Sequence, residues 1–397
     1  MQKDWINWSG SLKFSPTHYL LPENEGAIIS AIQKAGKENK KLRVAGAGHS
    51  SSPLVQTNDV LLSLTKQKQL LSADPQRHLA TIQAGLTIHE AGIELQKQGL
   101  SMHNTGDVDV QLVAGAIATA THGAGKKLQN LSAMLYGARL INGLGEVVET
   151  DEEKDPELMK ALRVNLGTMG VFTALKLKLL PAYRLDRKEY FTDTDACMEH
   201  WEELSEQNRN FDFYWYPRND RVKIRIMNQP GEGMQNLAFA RLDEHEEGWS
   251  MQMLPKKRDL KFDEMEYALP AEAGIECFLR IRERIKKKHR QIIAWRLLIR
   301  TVKSDDNYLS TAYKRETMTI SLHHNAGLPF EHYFNDIEPL FREYGGRPHW
   351  GKKHNLQAAD LRKLYPEWET FHRYRSRLDP ENRFMTPYLQ KLLLNDE

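Results

Sequence analysis

The sequence has few of the features that mark secreted, membrane or disulfide-rich proteins. Only two of its 397 residues are cysteines, Cys197 and Cys277. Two thiols do not make a disulfide framework, and they fit a reducing compartment. No apolar run approaches the roughly 20 residues of a membrane helix. The segment from Met1 to Ser11 also lacks the basic start and apolar stretch of a signal peptide. We therefore expect a cytoplasmic protein without a membrane span.

An excess of charge of one sign is missing too. The chain has 55 basic and 53 acidic residues, which give a formal net charge of +2. No half of the chain is strongly basic, so nucleic-acid binding is not expected. A hydrophobic fraction of 40% is ordinary for a globular protein and suffices for a large core. At roughly 150 residues per domain, the length predicts two or three domains. The oligomeric state stays open.

The pattern of apolar residues predicts alternating helices and strands in the first 180 residues. Residues 24–40 form one apolar face after the potential cap Asn24, which predicts a helix. Thr87 and Glu90 have the spacing of a capping box before a second helix. Strands are predicted over 42–45, 60–64 and 79–84, with a hairpin over 138–149. After Pro181 aromatic and charged residues become denser, with strands predicted over 211–216, 222–226, 292–300 and 317–323 and a helix over 271–289.

A strand that opens into closely spaced glycines is the first segment that could carry chemistry. It runs Arg43-Val-Ala-Gly46-Ala-Gly48-His49-Ser50 and continues to Pro53. Glycines let backbone N–H groups approach an anion, and successive amides form a concave phosphate site. The third glycine of the dinucleotide-binding fingerprint is missing. A tight turn without a ligand is the alternative.

The second segment, residues 114–125, consists almost entirely of alanine, glycine and threonine. Side chains this small are typical of backbone that lies against something bulky, although close helix packing also selects them. Gly125-Lys126 is similar to the end of a phosphate-binding P-loop. That loop needs glycine at position 120 and serine or threonine at 127, where this chain has Ala120 and Lys127. We therefore exclude a P-loop ATPase.

The third segment is His349-Trp-Gly-Lys352-Lys-His354. These histidines could cluster with His323 and His324. However, the spacing matches no known metal motif and no acidic partner is apparent. No metal is expected.

Together these segments resemble the vanillyl-alcohol-oxidase superfamily of FAD proteins, and within it the aldonolactone and alditol oxidases, such as gulonolactone and arabinonolactone oxidase. The resemblance rests on their order and covers nearly the whole chain. Further motifs of the same set are Asn165-Leu-Gly-Thr-Met-Gly170-Val171 and Glu264-Met-Glu-Tyr-Ala-Leu-Pro270.

The resemblance implies an α+β fold with a two-part PCMH-type FAD-binding domain and an inserted mixed α+β substrate (cap) domain. The expected domains are residues 1–180, the N-terminal part of the FAD-binding domain; 181–345, the cap domain; and 346–397, a C-terminal segment that returns to the FAD domain and active site.

The resemblance also implies the residues that bind FAD. Pyrophosphate is expected on the amides of Gly46 to Ser50, and the nucleotide end near Gly170 and Val171. His49 stands where many relatives attach the flavin covalently, and imidazole is a competent nucleophile. A dissociable flavin is the alternative. The expected FAD-binding residues are Ala45, Gly46, Ala47, Gly48, His49, Ser50, Pro53, Gly106, Asp107, Gln111, Ala114, Gly115, Thr119, Thr121, His122, Gly123, Gly170 and Val171.

For the substrate, the resemblance implies catalytic roles for Arg300 and Lys352, whose charges would favour a developing alkoxide. Salt bridges on the surface are the alternative for both. Gly106 is expected over the reactive face of the flavin, where a small residue leaves room for oxygen. Substrate-binding residues are expected to be Asp107, Leu298, Arg300, Asn325 and Lys352. Relatives often have an acidic residue where this chain has Leu298, and a small hydroxyl residue where it has Leu112.

The expected function is FAD-dependent oxidation of a sugar-1,4-lactone of the gulono-, galactono- or arabinono- type, with oxygen as acceptor and hydrogen peroxide as product. One alternative is a lactone or alditol dehydrogenase with another acceptor. The other, which Leu298 keeps open, is a flavin-binding protein that has lost catalysis.

Overall fold

The structure is a computed structural model that describes residues 4–255 and 260–394. Within these residues it contains five sheets. The strands are β1 Trp5–Ile6, β2 Lys13–Phe14, β3 His18–Leu20, β4 Leu42–Val44, β5 Val60–Leu62, β6 Leu70–Asp74, β7 Leu79–Gln83, β8 Leu100–Ser101, β9 Leu135–Ile141, β10 Val147–Asp151, β11 Val171–Lys178, β12 Leu180–Pro181, β13 Arg184–Asp193, β14 Asn210–Tyr216, β15 Arg221–Asn228, β16 Arg241–Trp249, β17 Phe262–Pro270, β18 Leu297–Val302, β19 Thr317–Asn325 and β20 Arg347–Pro348. The α-helices are α1 Glu25–Lys37, α2 Ile88–Lys97, α3 Val113–Ala118, α4 Pro156–Leu162, α5 Thr194–Glu199, α6 Trp201–Gln207, α7 Ser250–Met253, α8 Ala271–Lys288, α9 Glu331–Glu343, α10 Ala358–Leu364, α11 Trp368–Leu378 and α12 Pro387–Leu393.

The N-terminal third contains a small parallel sheet, in the order β3-β5-β4, that carries the first glycine loop. Helix α1 buries Ile28, Ile32 and Ala35, and the Asn24 side chain accepts from the N–H of Ala27. Both the helix and its cap are confirmed. Strand β4 pairs with β5 and ends at Val44, so the chain enters the loop directly from a fixed strand.

An antiparallel sheet in the order β10-β9-β11-β7-β6 follows. The predicted hairpin is confirmed, with β9 and β10 joined around Gly143 and Gly145. The capping box of α2 is confirmed as well, because Thr87 and Glu90 exchange both hydrogen bonds. The short helix α3 lies in the segment of small residues.

The sequence after Pro181 forms an eight-stranded antiparallel sheet in the order β16-β13-β15-β14-β18-β19-β17-β20. Helices α8 and α9 pack against β17, and α8 also packs against β19. The predicted strand at 292–300 was placed too early and begins at Leu297. The N–H groups of Ile292 and Ile293 donate instead to His289 O, in a turn that follows α8.

The C-terminal residues return to the N-terminal sheets. Strand β20 still pairs with β17, so the eight-stranded sheet extends past residue 345. Farther on, the buried guanidinium of Arg43 donates to Phe384 O, Leu166 O, Gly167 O and Leu54 O. The domain boundaries at residues 180 and 345 stay predictions.

Among the described residues, no helix has both the length and the apolar character needed to cross a bilayer. The cytoplasmic location stays a prediction.

Candidate functional site

Two adjoining cavities lie where the glycine loop, helix α3 and the eight-stranded sheet meet. The first cavity lies between the loop 46–50, α3 and the loop 165–171. The second cavity lies between the loop 106–111 and strands β17, β18 and β19. His49 and Gln111 line both. A ligand that fills the first cavity can therefore present one end to the second.

The glycine loop gives the first cavity unpaired backbone donors. Among the described residues, none accepts a hydrogen bond from the backbone N–H groups of Gly46 to Ser50. By contrast, the N–H groups of Ala45 and Ser51 donate to Leu62 O and Gly351 O. Successive free amides at a concave surface suit phosphate oxygens. On α3, a Cβ atom at Gly115 would meet nothing within 4 Å. The residues present therefore fit a long phosphate-containing cofactor such as FAD.

Most of the expected cofactor residues meet at these two cavities. Those that line the first are Gly46, Ala47, Gly48, His49, Ser50, Gln111, Ala114, Gly115, Thr119, Gly170 and Val171. Those that line the second are His49, Gly106, Asp107, Gln111, Thr121 and His122.

Ala45, Pro53 and Gly123 line neither cavity. The Ala45 side chain is buried in a small core cluster with Phe14 and Leu61. A Cβ atom at Gly123 would come within 2.4 Å of Thr105 O. The close approach of two backbone segments therefore explains this glycine without a ligand.

His49 stands between the two cavities, stacked on the Trp8 ring at a centroid distance of 4.8 Å. Burial, with a smaller contribution from Lys352, lowers the pKa of His49 to about 4. The imidazole is therefore neutral near pH 7, the state in which a ring nitrogen is nucleophilic.

Arg300 lines the second cavity and is held in a buried group of four charges. Its Nη2 donates to Asp107 Oδ1 at 2.7 Å and its Nε to Asp212 Oδ2 at 3.1 Å. Arg225 Nη2 donates to the same two carboxylates at 2.9 and 2.5 Å. Burial opposes the charge of Arg300, but the two aspartates outweigh it and raise its pKa. Arg300 is thus a fixed cation whose salt bridges to Asp107 and Asp212 are buried rather than on the surface.

Lys352 brings a second cation to this cavity. Its Nζ donates to Glu264 Oε2 at 2.5 Å, and its side chain is 23% exposed. Burial works against ionisation of Glu264, but Lys352 and His323 outweigh it and lower the pKa of this carboxyl. The pair is therefore ionic at neutral pH.

A second carboxylate, Glu266, is enclosed by polar partners. It accepts from His122 Nε2 at 2.8 Å and from the Ser321 hydroxyl. His122 Nδ1 lies 2.9 Å from Gly123 O, and His349 Nδ1 accepts from the N–H of Gly351. Ligand-type atoms of Glu266 and these two histidines lie within 4.8 Å of one another, but hydrogen bonds already occupy most of them.

Of the expected substrate residues, Asp107, Leu298, Arg300 and Lys352 line the second cavity. Asn325 does not. It is the last residue of β19, accepts a hydrogen bond from Trp295 Nε1, and lines a separate surface pocket near Ser9. Two residues along a strand span about 7 Å, so the chain has passed the cavity after His323.

Several residues at the second cavity were not among the site residues expected from the sequence. They are Trp8, Ser51, Val108, Phe262, Glu264, Glu266, His323 and His349. Asp212 and Arg225, which fix Arg300, were also missed. The alternation Glu264-x-Glu266 was a usable signal, because residues two apart on a strand share a face. No local pattern identifies Asp212 or Arg225.

Comparisons with known proteins agree with this geometry. A family described as D-arabinono-1,4-lactone oxidase matches residues 175–238 and 225–392, and an FAD binding domain family matches residues 16–151. The chain is 32% identical to L-gulono-1,4-lactone dehydrogenase of Mycobacterium tuberculosis, over 99% of this chain and all of that one. It is 25% identical to L-gulonolactone oxidase of Mus musculus, over 97% of each.

Among solved structures, cholesterol oxidase from B. sterolicum superimposes with a TM-score of 0.86 at 17% identity. The match covers 99% of this chain and 97% of that one. At this identity the likeness shows the fold alone, and it confirms the α+β architecture with a PCMH-type FAD-binding fold. The matches to the two families and to the mycobacterial relative show that the chain belongs to the D-arabinono-1,4-lactone oxidase family and is an FAD-dependent oxidoreductase that acts on CH–OH groups.

Proposed function

We propose that this protein oxidises a hydroxyl group of a sugar-1,4-lactone of the gulono-, galactono- or arabinono- type, with oxygen as the acceptor and hydrogen peroxide as the product. The observation that carries the proposal is the second cavity, where the cations Arg300 and Lys352 lie beside the apolar Leu298. Relatives named for gulonolactone and arabinonolactone support this class of substrate.

The chemistry divides between cofactor and protein. FAD, when bound, supplies the acceptor for a hydride from the substrate carbon. Arg300 and Lys352 bind hydroxyl or carbonyl oxygens and favour the negative charge that develops as the hydroxyl proton leaves. Leu298 offers no hydrogen bond. It therefore disfavours extended polyols, whose additional hydroxyls would be buried without partners.

Two further parts of the proposal concern the flavin. Gly106 lines the second cavity without a side chain, which leaves room for oxygen. His49, neutral and at the junction of the cavities, carries the covalent link to FAD. Precipitation in acid tests the link, since covalent flavin stays yellow in the pellet. If all flavin washes into the supernatant, His49 makes only a dissociable contact.

The central experiment is anaerobic mixing with a panel of lactones and polyols, followed by a peroxide assay in air. We expect lactones to bleach the flavin faster than sorbitol or xylitol do, and peroxide to form in equal amounts to product. Bleaching without peroxide would favour the second candidate, a dehydrogenase, which the name of the mycobacterial relative supports. No bleaching with any compound would mean that catalysis has been lost.

Oxygen access is tested by Gly106→Leu. We expect slower reoxidation of the reduced flavin by oxygen, while lactone still reduces it. A Cβ atom here would lie 3.2 Å from His122 O, so Gly106→Ala is the control for local strain. Equal loss of reduction and reoxidation in the leucine variant would contradict a role in oxygen access.

A further inference from the structure

At Leu298, strand β18 offers the second cavity no hydrogen-bond acceptor. Strand β17 supplies two carboxylates, those of Glu264 and Glu266. The strands lie in the order β18-β19-β17. Leu298 pairs with Ser321, which pairs in turn with Glu266, and the next row on the same face pairs His323 with Glu264. Both glutamates line the cavity and both are only 5% exposed. The carboxylate that position 298 lacks is therefore present two strands away.

The two glutamates differ in what their oxygens already do. Glu266 accepts from His122 with Oε1 and from Ser321 with Oε2. Glu264 accepts from Lys352 with Oε2, whereas its Oε1 lies 3.6 Å from His323 Nε2, beyond hydrogen-bond distance. Glu264 thus retains an oxygen that can accept from a substrate hydroxyl.

We propose that Glu264 is a catalytic residue that accepts the hydrogen bond, and then the proton, of the substrate hydroxyl that is oxidised. The proposal rests on the proposed CH–OH oxidation at this cavity. The C–H bond breaks and its electron pair leaves with the hydrogen as hydride to FAD. The O–H bond breaks and its proton passes to Glu264 Oε1, so that the C–O bond becomes C=O. Lys352, the more exposed partner, connects Glu264 to solvent for release of that proton.

The charges around Glu264 favour its ionised form, which is the form that can accept a proton. Lys352 from the C-terminal segment and His323 from β19 favour the carboxylate, while burial and Glu266 from its own strand oppose it. The balance favours the ionised form, so the base is available at neutral pH and is lost only when acid protonates it. The rate of flavin reduction should therefore fall at acid pH.

The test is Glu264→Gln, which keeps the shape and removes the base. The control is Asp263→Asn on the opposite face of β17, where Asp263 accepts from Ser9 and Ser11. At saturating lactone under anaerobic conditions, we expect E264Q to slow flavin reduction by about 10²- to 10⁴-fold and to abolish its acid limb. With the flavin of the holoenzyme reduced beforehand under anaerobic conditions, so that no turnover occurs, calorimetry should show lactone binding weakened roughly tenfold. D263N should behave as the wild type in both assays.

Three outcomes would overturn the proposal: a reduction rate in E264Q within threefold of the wild type, a slow rate that retains the acid limb, or an equal loss in D263N. Failure of the proposed function gives a different result. If lactones do not bleach the wild-type flavin but a polyol does, the lactone assignment fails, and the same comparison with that polyol still tests Glu264.

Discussion

Arg300 is a single buried cation at the second cavity whose position is fixed by its partners. The residue is 7% exposed, and two carboxylates from different parts of the chain hold its guanidinium. Asp212 lies directly opposite it on the neighbouring strand β14, and Asp107 comes from the loop after Gly106. Buried charges of this kind are stable only when paired and hydrogen-bonded. The cation therefore has a fixed position, which a flexible lysine would not have.

We expect Arg300→Ala to lower kcat/KM for lactone at least ten- to a hundredfold, because a hydrogen bond from a charged group contributes about 1.5–3 kcal/mol. Arg300→Lys should recover only part of this, since a lysine cannot donate to Asp107 and Asp212 in the same fork. Steady-state kinetics and FAD absorbance measure both effects. Arg296→Ala is the matched control, because Arg296 packs over the Tyr214 ring and does not line the cavity. Wild-type kcat/KM in R300A would exclude Arg300 from catalysis.

At the scale of elements, the segment of small residues serves two purposes. Helix α3 exposes Gly115 to open space in the first cavity, whereas Gly123, after the helix, is enclosed by Thr105 O and the Asn104 side chain. The sequence left ligand contact and close packing as alternatives for this segment. Gly115 fits the first and Gly123 the second.

The two glycines should therefore respond differently to a side chain. In a His49→Ala background, where any flavin is dissociable, we expect Gly115→Leu to weaken FAD binding at least tenfold. The free energy of unfolding of the FAD-free protein should stay the same or rise, because leucine favours helix over glycine. Gly123→Ala should lower that free energy by about 1–3 kcal/mol through overpacking. Fluorescence titration with FAD and urea denaturation measure the two quantities. If Gly115→Leu lowered the free energy of unfolding and Gly123→Ala weakened FAD binding instead, the roles assigned to the two glycines would be contradicted.

At the scale of the whole molecule, Arg43 joins the two ends of the chain. Its four hydrogen bonds reach backbone carbonyls near residues 54, 166, 167 and 384, at 2.6–3.0 Å. Burial lowers the pKa of Arg43 to about 10, with Asp379 acting in the opposite direction. The side chain remains a cation, and it ties the C-terminal segment to the strand that carries the glycine loop.

Arg43→Met should lower the free energy of unfolding by at least about 3 kcal/mol, because each buried carbonyl left without a donor costs about 1–3 kcal/mol. In a His49→Ala background FAD binding should weaken as well, since the variant loosens the start of the glycine loop. Urea denaturation gives the free energy. Arg77→Met is the control, because Arg77 is exposed. If the free energy of unfolding falls by the same small amount in both variants, Arg43 does not join the N-terminal and C-terminal parts of the chain.

Three histidines, the buried His349 and the half-buried His354 and His372, make the molecule sensitive to acid. Burial lowers the pKa of His349, His354 and His372 to about 4, against about 6.5 in the unfolded chain. Between these values the unfolded state binds more protons, so stability falls as pH drops from about 6.5 to 4. Each group contributes up to about 1.4 kcal/mol per pH unit. Urea denaturation at several pH values in this range measures the free energy of unfolding. This free energy should fall less steeply with decreasing pH in His354→Gln than in the wild type. If the pH dependence of the variant equals that of the wild type, the pKa of His354 does not change on folding.

The local features of the fold follow from short-range signals in the sequence. Capping residues and apolar periodicity gave α1, α2 and the hairpin, and glycine spacing identified the loop 46–50, because these signals depend on neighbours within a few residues. The order of the motifs identified the family and, with it, FAD.

The pairing of charged side chains, by contrast, depends on the three-dimensional fold. Asp107, Asp212 and Arg300 are far apart in sequence, and sheet register alone brings the last two together. The same register puts Glu264 at the second cavity, while Asn325, at the end of β19, lies beyond it. Composition and spacing carry no information about register across distant strands. The sequence therefore predicts the fold more completely than it predicts which carboxylates pair with Arg300 and Lys352.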